Sequence, residues 1–172
     1  LEHYNEPFRK ESMTQRPECK SRWARVWIDV GAVLFVFALA GSAAVIPQLR
    51  LLHVFQAFIY VAVIVLARRD SGWGFGAGVT VAVAWNSLNL LVTHLFQAGS
   101  REFWSLVRTG HVHRPDTMMV FIGGVAHFIL ITGCLVGFLG LTPGKKQWGQ
   151  FVMGGVLSLA YFALIIAAMA PR

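Results

Sequence analysis

Residues 117–144 read TMMVFIGGVAHFILITGCLVGFLGLTPG, a run without a single Asp, Glu, Lys or Arg. A helix needs about 20 apolar residues to cross a hydrocarbon core, so this run alone is long enough to span a bilayer. Comparable charge-free runs occupy 30–49, 51–67, 71–100 and 147–171. Of the 23 charged residues in the 172-residue chain, 11 fall within residues 1–29 and only 12 in all that follows. The composition is 56% hydrophobic and 13% charged. Soluble domains carry about a quarter charged residues, so an ordinary soluble fold and a disordered chain are both excluded. The expected fold is all-α and integral to a membrane. It is a bundle of five transmembrane helices with one short interfacial helix in the outer loop between spans 3 and 4.

Working outward, helices are expected near 23–47, 51–69, 71–98, 117–141 and 147–170, behind a polar tail over 1–22. Pro47 marks a short turn after the first span, Asp70 and Ser71 another after the second, and Leu141-Thr142-Pro143-Gly144 a breaker-rich link before the fifth. All six prolines lie outside the helix interiors, which weighs against the broken helices of many transporters. The first apolar run, with Ala38, Ala40, Ser42 and Ala44, has some features of a cleavable signal. The long polar stretch before it exceeds a usual n-region, so it is read as a span.

Five spans place Arg9, Lys10, Arg16, Lys20, Arg22, Arg25, Arg68, Arg69, Lys145 and Lys146 on one side. Arg50, Arg101, Arg108, Arg114 and Arg172 fall on the other. The positive-inside rule then predicts a cytoplasmic N-terminus and an external C-terminus, in a bacterial inner (plasma) membrane. Net charge +7 would suggest nucleic acid in a soluble protein, but here the basic residues flank spans and face lipid headgroups. Trp23, Trp27, Trp73 and Trp148 fall near one boundary and Trp104 near the other, as an interfacial belt requires. Cys19 and Cys134 are separated by bilayer, so no disulfide is expected. Within 101–108, Phe103, Trp104 and Val107 share one helical face and Arg101, Ser105 and Arg108 another, the pattern of a helix lying in the interface. Gly110 suits its end, and Asp116 or Thr117 the start of the next span.

Gly72, Gly74, Gly76 and Gly78 superficially resemble a phosphate loop, but no strand precedes them and the segment enters a bilayer. Gly74 with Gly78, and Gly133 with Gly137, instead form small-residue stripes, expected to pack helices within the chain, against other membrane subunits or against a second copy.

Polar residues inside the spans carry the functional information. His53, Gln56 and Tyr60 recur at i, i+3 and i+7 on the second span. Asn86, Asn89, Thr93 and Gln97 recur at i, i+3, i+7 and i+11 on the third, with His94 alongside. The two spans are antiparallel neighbours, so His53 and His94 fall at similar shallow depth, with Tyr60 and Asn86 deeper. His127, ten residues into the fourth span, lies about 15 Å down. This outer-half seam admits three readings: hydrogen bonds that fix helix register, a ligand site for a quinone or a bis-histidine haem b, and a path for a small solute.

His111 and His113 flank Val112 in the outer loop and are weak candidates for zinc or copper. There is no HExxH, no GxSxG and no pair of intramembrane carboxylates, so no catalytic residues are assigned. Asp29 is expected to pair with Arg25, one turn before it. The expected role is a non-catalytic subunit or ligand-binding protein of a larger membrane assembly, associated with electron transfer. The alternative is a small-solute transporter or channel acting as an oligomer.

Overall fold

The computed structural model describes residues 18–169, and every regular element among them is helical. The tail expected over 1–22 lies outside the described residues as far as residue 17, and so does Arg172. The helices are α1 (Glu18–Val45), α2 (Arg50–Arg68), α3 (Gly72–Ser87), α4 (Leu95–Thr109), α5 (Pro115–Leu139) and α6 (Trp148–Met169). Among the described residues, five stretches are long and apolar enough to cross a membrane: Arg22–Val45, Pro47–Arg68, Gly72–Val92, Pro115–Leu139 and Pro143–Ala168. Pro47, Pro115 and Pro143 each open a helical segment, where the missing N–H would have had no partner anyway. Pro115 moves the start of α5 ahead of the expected cap. Arg114 holds the cap position, and the Thr117 hydroxyl donates to its carbonyl at 2.9 Å.

α5 is the axis of the bundle, packed against α1, α3 and α4, while α3 also meets α2 and α6. The buried face of α1 runs through Ala24, Ile28, Ala32, Phe35 and Leu39. Its backbone lies directly on α5. A Cβ added to Gly31 would stand 2.7 Å from the Leu130 nitrogen, and one on Gly133 would stand 2.9 Å from the Ile28 nitrogen. Gly137 faces Phe75, Gly74 faces Leu66 and Ala67, and Gly78 faces Val63 and the buried Cys134 thiol. All four glycines of the stripes are therefore filled from within the chain, which corrects the expectation that they offer a surface to other chains. α3 and α6 approach as closely, with Gly76 against the Phe151 backbone and Gly154 against that of Trp73.

The third helix departs most from the expected 71–98. It is α-helical only to Ser87, widens into a π turn over Leu88–Val92, and stops at His94, which adopts φ 55°. A left-handed histidine is a sparsely populated conformation that turns the chain sharply. α4 therefore starts inside the apolar run, six residues before the expected interfacial helix. Its Phe96 and Phe103 pack on Phe121 of α5, with ring centroids 5.1 and 5.3 Å apart. Hydropathy averages over such a break, because the bend changes no residue's polarity. Gly110, with φ 72°, ends α4 as expected.

At the opposite end of the bundle the expected Arg25–Asp29 pair is replaced by a crossed set. Arg25 donates to Asp70 at 2.9 Å, Arg68 to Asp29 at 2.8 Å, and Lys145 lies 3.6 Å from Asp70. Asp70 occupies a left-handed position in the α2–α3 turn, which brings its carboxylate to α1. Solvent screens pairs this exposed, so they set the register of α1 against the turn more than they hold the fold.

Candidate ligand cavity

The α4 end of the bundle holds a partly open cavity of about 360 Å³ between α1, α2, the π turn, α5 and α6. Phe35 and Trp85 form its floor, Phe162 one wall, and Ile46, Leu49 and Leu95 its upper rim. Its size falls at the lower end of small-molecule sites, which run about 300–1,000 Å³. Of the sequence-predicted seam, His53, Gln56, Asn89 and Thr93 line this space. Tyr60, Asn86 and His127 lie buried outside its lining, and His94 is exposed at the start of α4. The imidazoles of His53 and His94 thus do not share the cavity.

Hydrogen bonding divides the seam into two groups. The Asn89 amide donates to the Trp85 carbonyl at 2.9 Å, the Thr93 hydroxyl to Asn89 Oδ1 at 3.4 Å, and the Leu95 N–H to the Thr93 hydroxyl at 3.4 Å. The Gln97 amide donates to the Leu90 carbonyl at 2.9 Å. These side chains satisfy backbone groups that the π turn and the His94 bend release from regular helix bonding. Asn86 reaches α5, donating to the Gly124 carbonyl at 3.4 Å. Asn86, Asn89, Thr93 and Gln97 are accordingly register and break-sealing devices.

Asn86 Oδ1 is buried without a partner outside the cavity lining, and two more such atoms belong to α2 residues that line it. Gln56 is only 7% exposed, and its Oε1 has no hydrogen-bond partner. His53 Nδ1, one turn earlier on the same face, has none either. A buried polar atom left unsatisfied costs about 1–3 kcal/mol, so these two atoms mark where a bound molecule would gain most. Gln can present oxygen or nitrogen, and neutral His can donate or accept at either nitrogen, so the pair can meet a carbonyl or a hydroxyl equally. Trp85 borders the same space, and so does an edge of Phe35, whose ring already packs against those of Tyr60, His127 and Trp85. Below them, His127 is fully enclosed, its ring 4.0 Å from that of Phe35 and 4.9 Å from that of Trp85. Its Nε2 lies 2.6 Å from the Tyr60 hydroxyl.

Phe35 and Trp85 were not among the residues singled out from sequence. In a helix apolar all round, no periodicity separates an aromatic that lines a cavity from one that faces lipid. His111 and His113 are exposed; the His113 and Arg114 amides donate to Glu102 Oε2 at 2.9 and 3.2 Å. Among the described residues, no three His, Cys, Asp or Glu side chains are grouped closely enough to hold a metal ion.

Fold and cavity together define, among the described residues, a helical bundle with five membrane-length helices and a partly open cavity lined by apolar, aromatic and a few polar side chains. The chain matches no family model, no curated protein and no solved structure.

Proposed function

We propose that the chain is a five-span integral membrane protein with a cytoplasmic N-terminus and an external α4. It serves as a non-catalytic, ligand-binding subunit of a larger membrane assembly. Its ligand is an amphiphile with a hydrogen-bonding ring, of which a quinone is the test case, and this would associate the protein with electron transfer. The observation that carries the reading is the unpartnered pair His53 Nδ1 and Gln56 Oε1 beside Phe35 and Trp85. A quinone offers two carbonyls, or two hydroxyls when reduced, on a flat ring, which is the complement of that arrangement. Haem b is less well supported, because His94 stands outside the cavity and axial ligation by two imidazoles needs both. A transport path is also less well supported. Along α1, Ala32 and Phe35 are fully packed between the cavity and the Arg25–Asp70 cluster, with Tyr60, His127 and Leu130 beside them.

Purification from the native membrane in mild detergent, followed by mass spectrometry of extracted small molecules, tests the binding reading. Wild-type protein is expected to retain a ring-bearing amphiphile, and Gln56→Leu to retain several-fold less. Equal retention by both, or an empty wild-type protein, would refute it. Topology is tested separately with an impermeant maleimide on intact cells. Thr109→Cys should label without lysis, whereas Cys19 should label only after it; the reverse pattern would invert the orientation.

A further inference from the structure

The lipid-facing side of α1 changes character along its length. Towards its start the outward residues are large, with Val26, Val30, Val33 and Phe37 all exposed. Over the next stretch Ala40, Ala43 and Ala44 take their place before Val45 is again large and exposed, and Ala57 of α2 lines the same space. The result is an apolar trough of about 540 Å³ between α1 and α2. Arg50 closes its far end, folding back so that Nε donates to the Ala43 carbonyl at 3.2 Å. Two residues, His53 and Leu39, line both this trough and the cavity.

We propose that this trough is a second binding surface, which holds the hydrocarbon tail of the molecule whose head occupies the cavity and admits that molecule laterally from the lipid. The proposal rests on the cavity reading given above. Continuity is the main argument. A ring lying beside Gln56 has the shared His53–Leu39 wall next to it, and that wall leads directly into a trough lined in part by the small side chains Ala40, Ala43, Ala44 and Ala57. From Val36 to Ala44 the trough follows α1 for about 12 Å, the reach of a chain of roughly ten carbons. His53 is the movable part of that wall: half-buried, on a two-torsion side chain whose ring meets the Leu39 backbone, a single contact that breaks when the ring turns. Its rotation opens the passage without shifting either helix. The Arg50 closure directs the tail along the bilayer instead of towards water.

The test uses the full chain in lipid nanodiscs and two probes, decylubiquinone and the tail-less 2,3-dimethoxy-5-methyl-1,4-benzoquinone. Binding is read as saturable quenching of Trp85 fluorescence, defined as the component lost in Trp85→Phe. Ala43→Phe and Ala57→Phe fill the trough from opposite walls, and neither position lines the cavity. Each variant is expected to weaken decylubiquinone about tenfold or more while leaving the tail-less probe within about twofold of wild type. Unchanged decylubiquinone binding in both variants, or an equal loss of both probes, would overturn the trough proposal and leave the cavity reading standing. Absence of saturable Trp85 quenching by either probe in wild-type protein would overturn both.

Discussion

Replacing Gly133 by Leu should destabilise the bundle by about 3 kcal/mol, the upper end of what overpacking does in a close-packed core. The reason lies in what the new side chain meets. A Cβ at this position stands 2.9 Å from the Ile28 nitrogen and 3.0 Å from the Trp27 Cβ, so Leu would have to displace the α1 backbone itself. Gly31, facing back from α1 onto Leu130, leaves no slack on the other side. Gly137→Leu should cost less, about 1 kcal/mol, because its nearest neighbour is the Phe75 ring edge at 2.7 Å, and a ring can rotate away. Gly149 has nothing within 4 Å of an added Cβ, so Gly149→Leu controls for the change in composition. Thermal unfolding in one detergent, compared across the three variants, should rank Gly133 well below Gly137 and Gly149. Three equal midpoints would mean that α1 does not lie on α5 and that this face looks at lipid.

That ranking could not have been written from the stripe alone. The charge-free runs at 117–144 and elsewhere located four of the five membrane-length helices to within a few residues and overran the end of the third, because a charge inside an apolar run is expensive wherever the helix faces but a bend carries no charge. What they left undetermined was azimuth. α5 is apolar all round, so Gly133 and Gly137 announce a close approach without saying whose. The same limit hid the charge pairing. Asp29 and Arg25 sit one turn apart on α1, and sequence favours the local pair. The α2–α3 turn delivers Asp70 and Arg68 from a distance of some 40 residues along the chain and takes both partners.

The seam was legible as a location and only partly legible as a site. Polar side chains at helical spacing had to turn inward, and those of α2 do. Their counterparts further along share the same spacing, but Asn89, Thr93 and, already on α4, Gln97 answer a local need created by the π turn and the left-handed His94. A break that consists only of dihedral angles leaves its trace in the polar residues that seal it. A ligand face leaves the same kind of trace, so sequence cannot separate the two until the hydrogen bonds are drawn.

Beneath the cavity, the contact between Tyr60 and His127 should prove a coupled pair, with an interaction free energy of about 1–2 kcal/mol in a double-mutant cycle. Interhelical hydrogen bonds in membrane proteins average about 0.6 kcal/mol and reach about 1.7, and this one belongs at the upper end because both partners are sealed from solvent. Tyr60 is 1% exposed, His127 is fully buried, and their atoms lie 2.6 Å apart. A proton count sharpens the expectation. A neutral imidazole carries one N–H and a phenol one O–H, and a single contact uses one of the two hydrogens. His127 Nδ1 has no partner. If the phenol donates to Nε2, the imidazole N–H sits unmet on Nδ1; if Nε2 donates, the phenol hydrogen is unmet instead. Tyr60→Phe then strands both ring nitrogens and should cost about 1–2 kcal/mol. His127→Leu should cost about 2–3 kcal/mol, since it also removes the ring packed tilted against Phe35 and edge-on to Trp85. Combining them leaves no stranded polar group, so the double variant should lose clearly less than the sum. Strictly additive losses in a reversible unfolding assay would show that phenol and imidazole share no bond. A double variant as stable as the parent would mean that the bond does not hold the fold, and would place the role of the pair in the cavity directly above it.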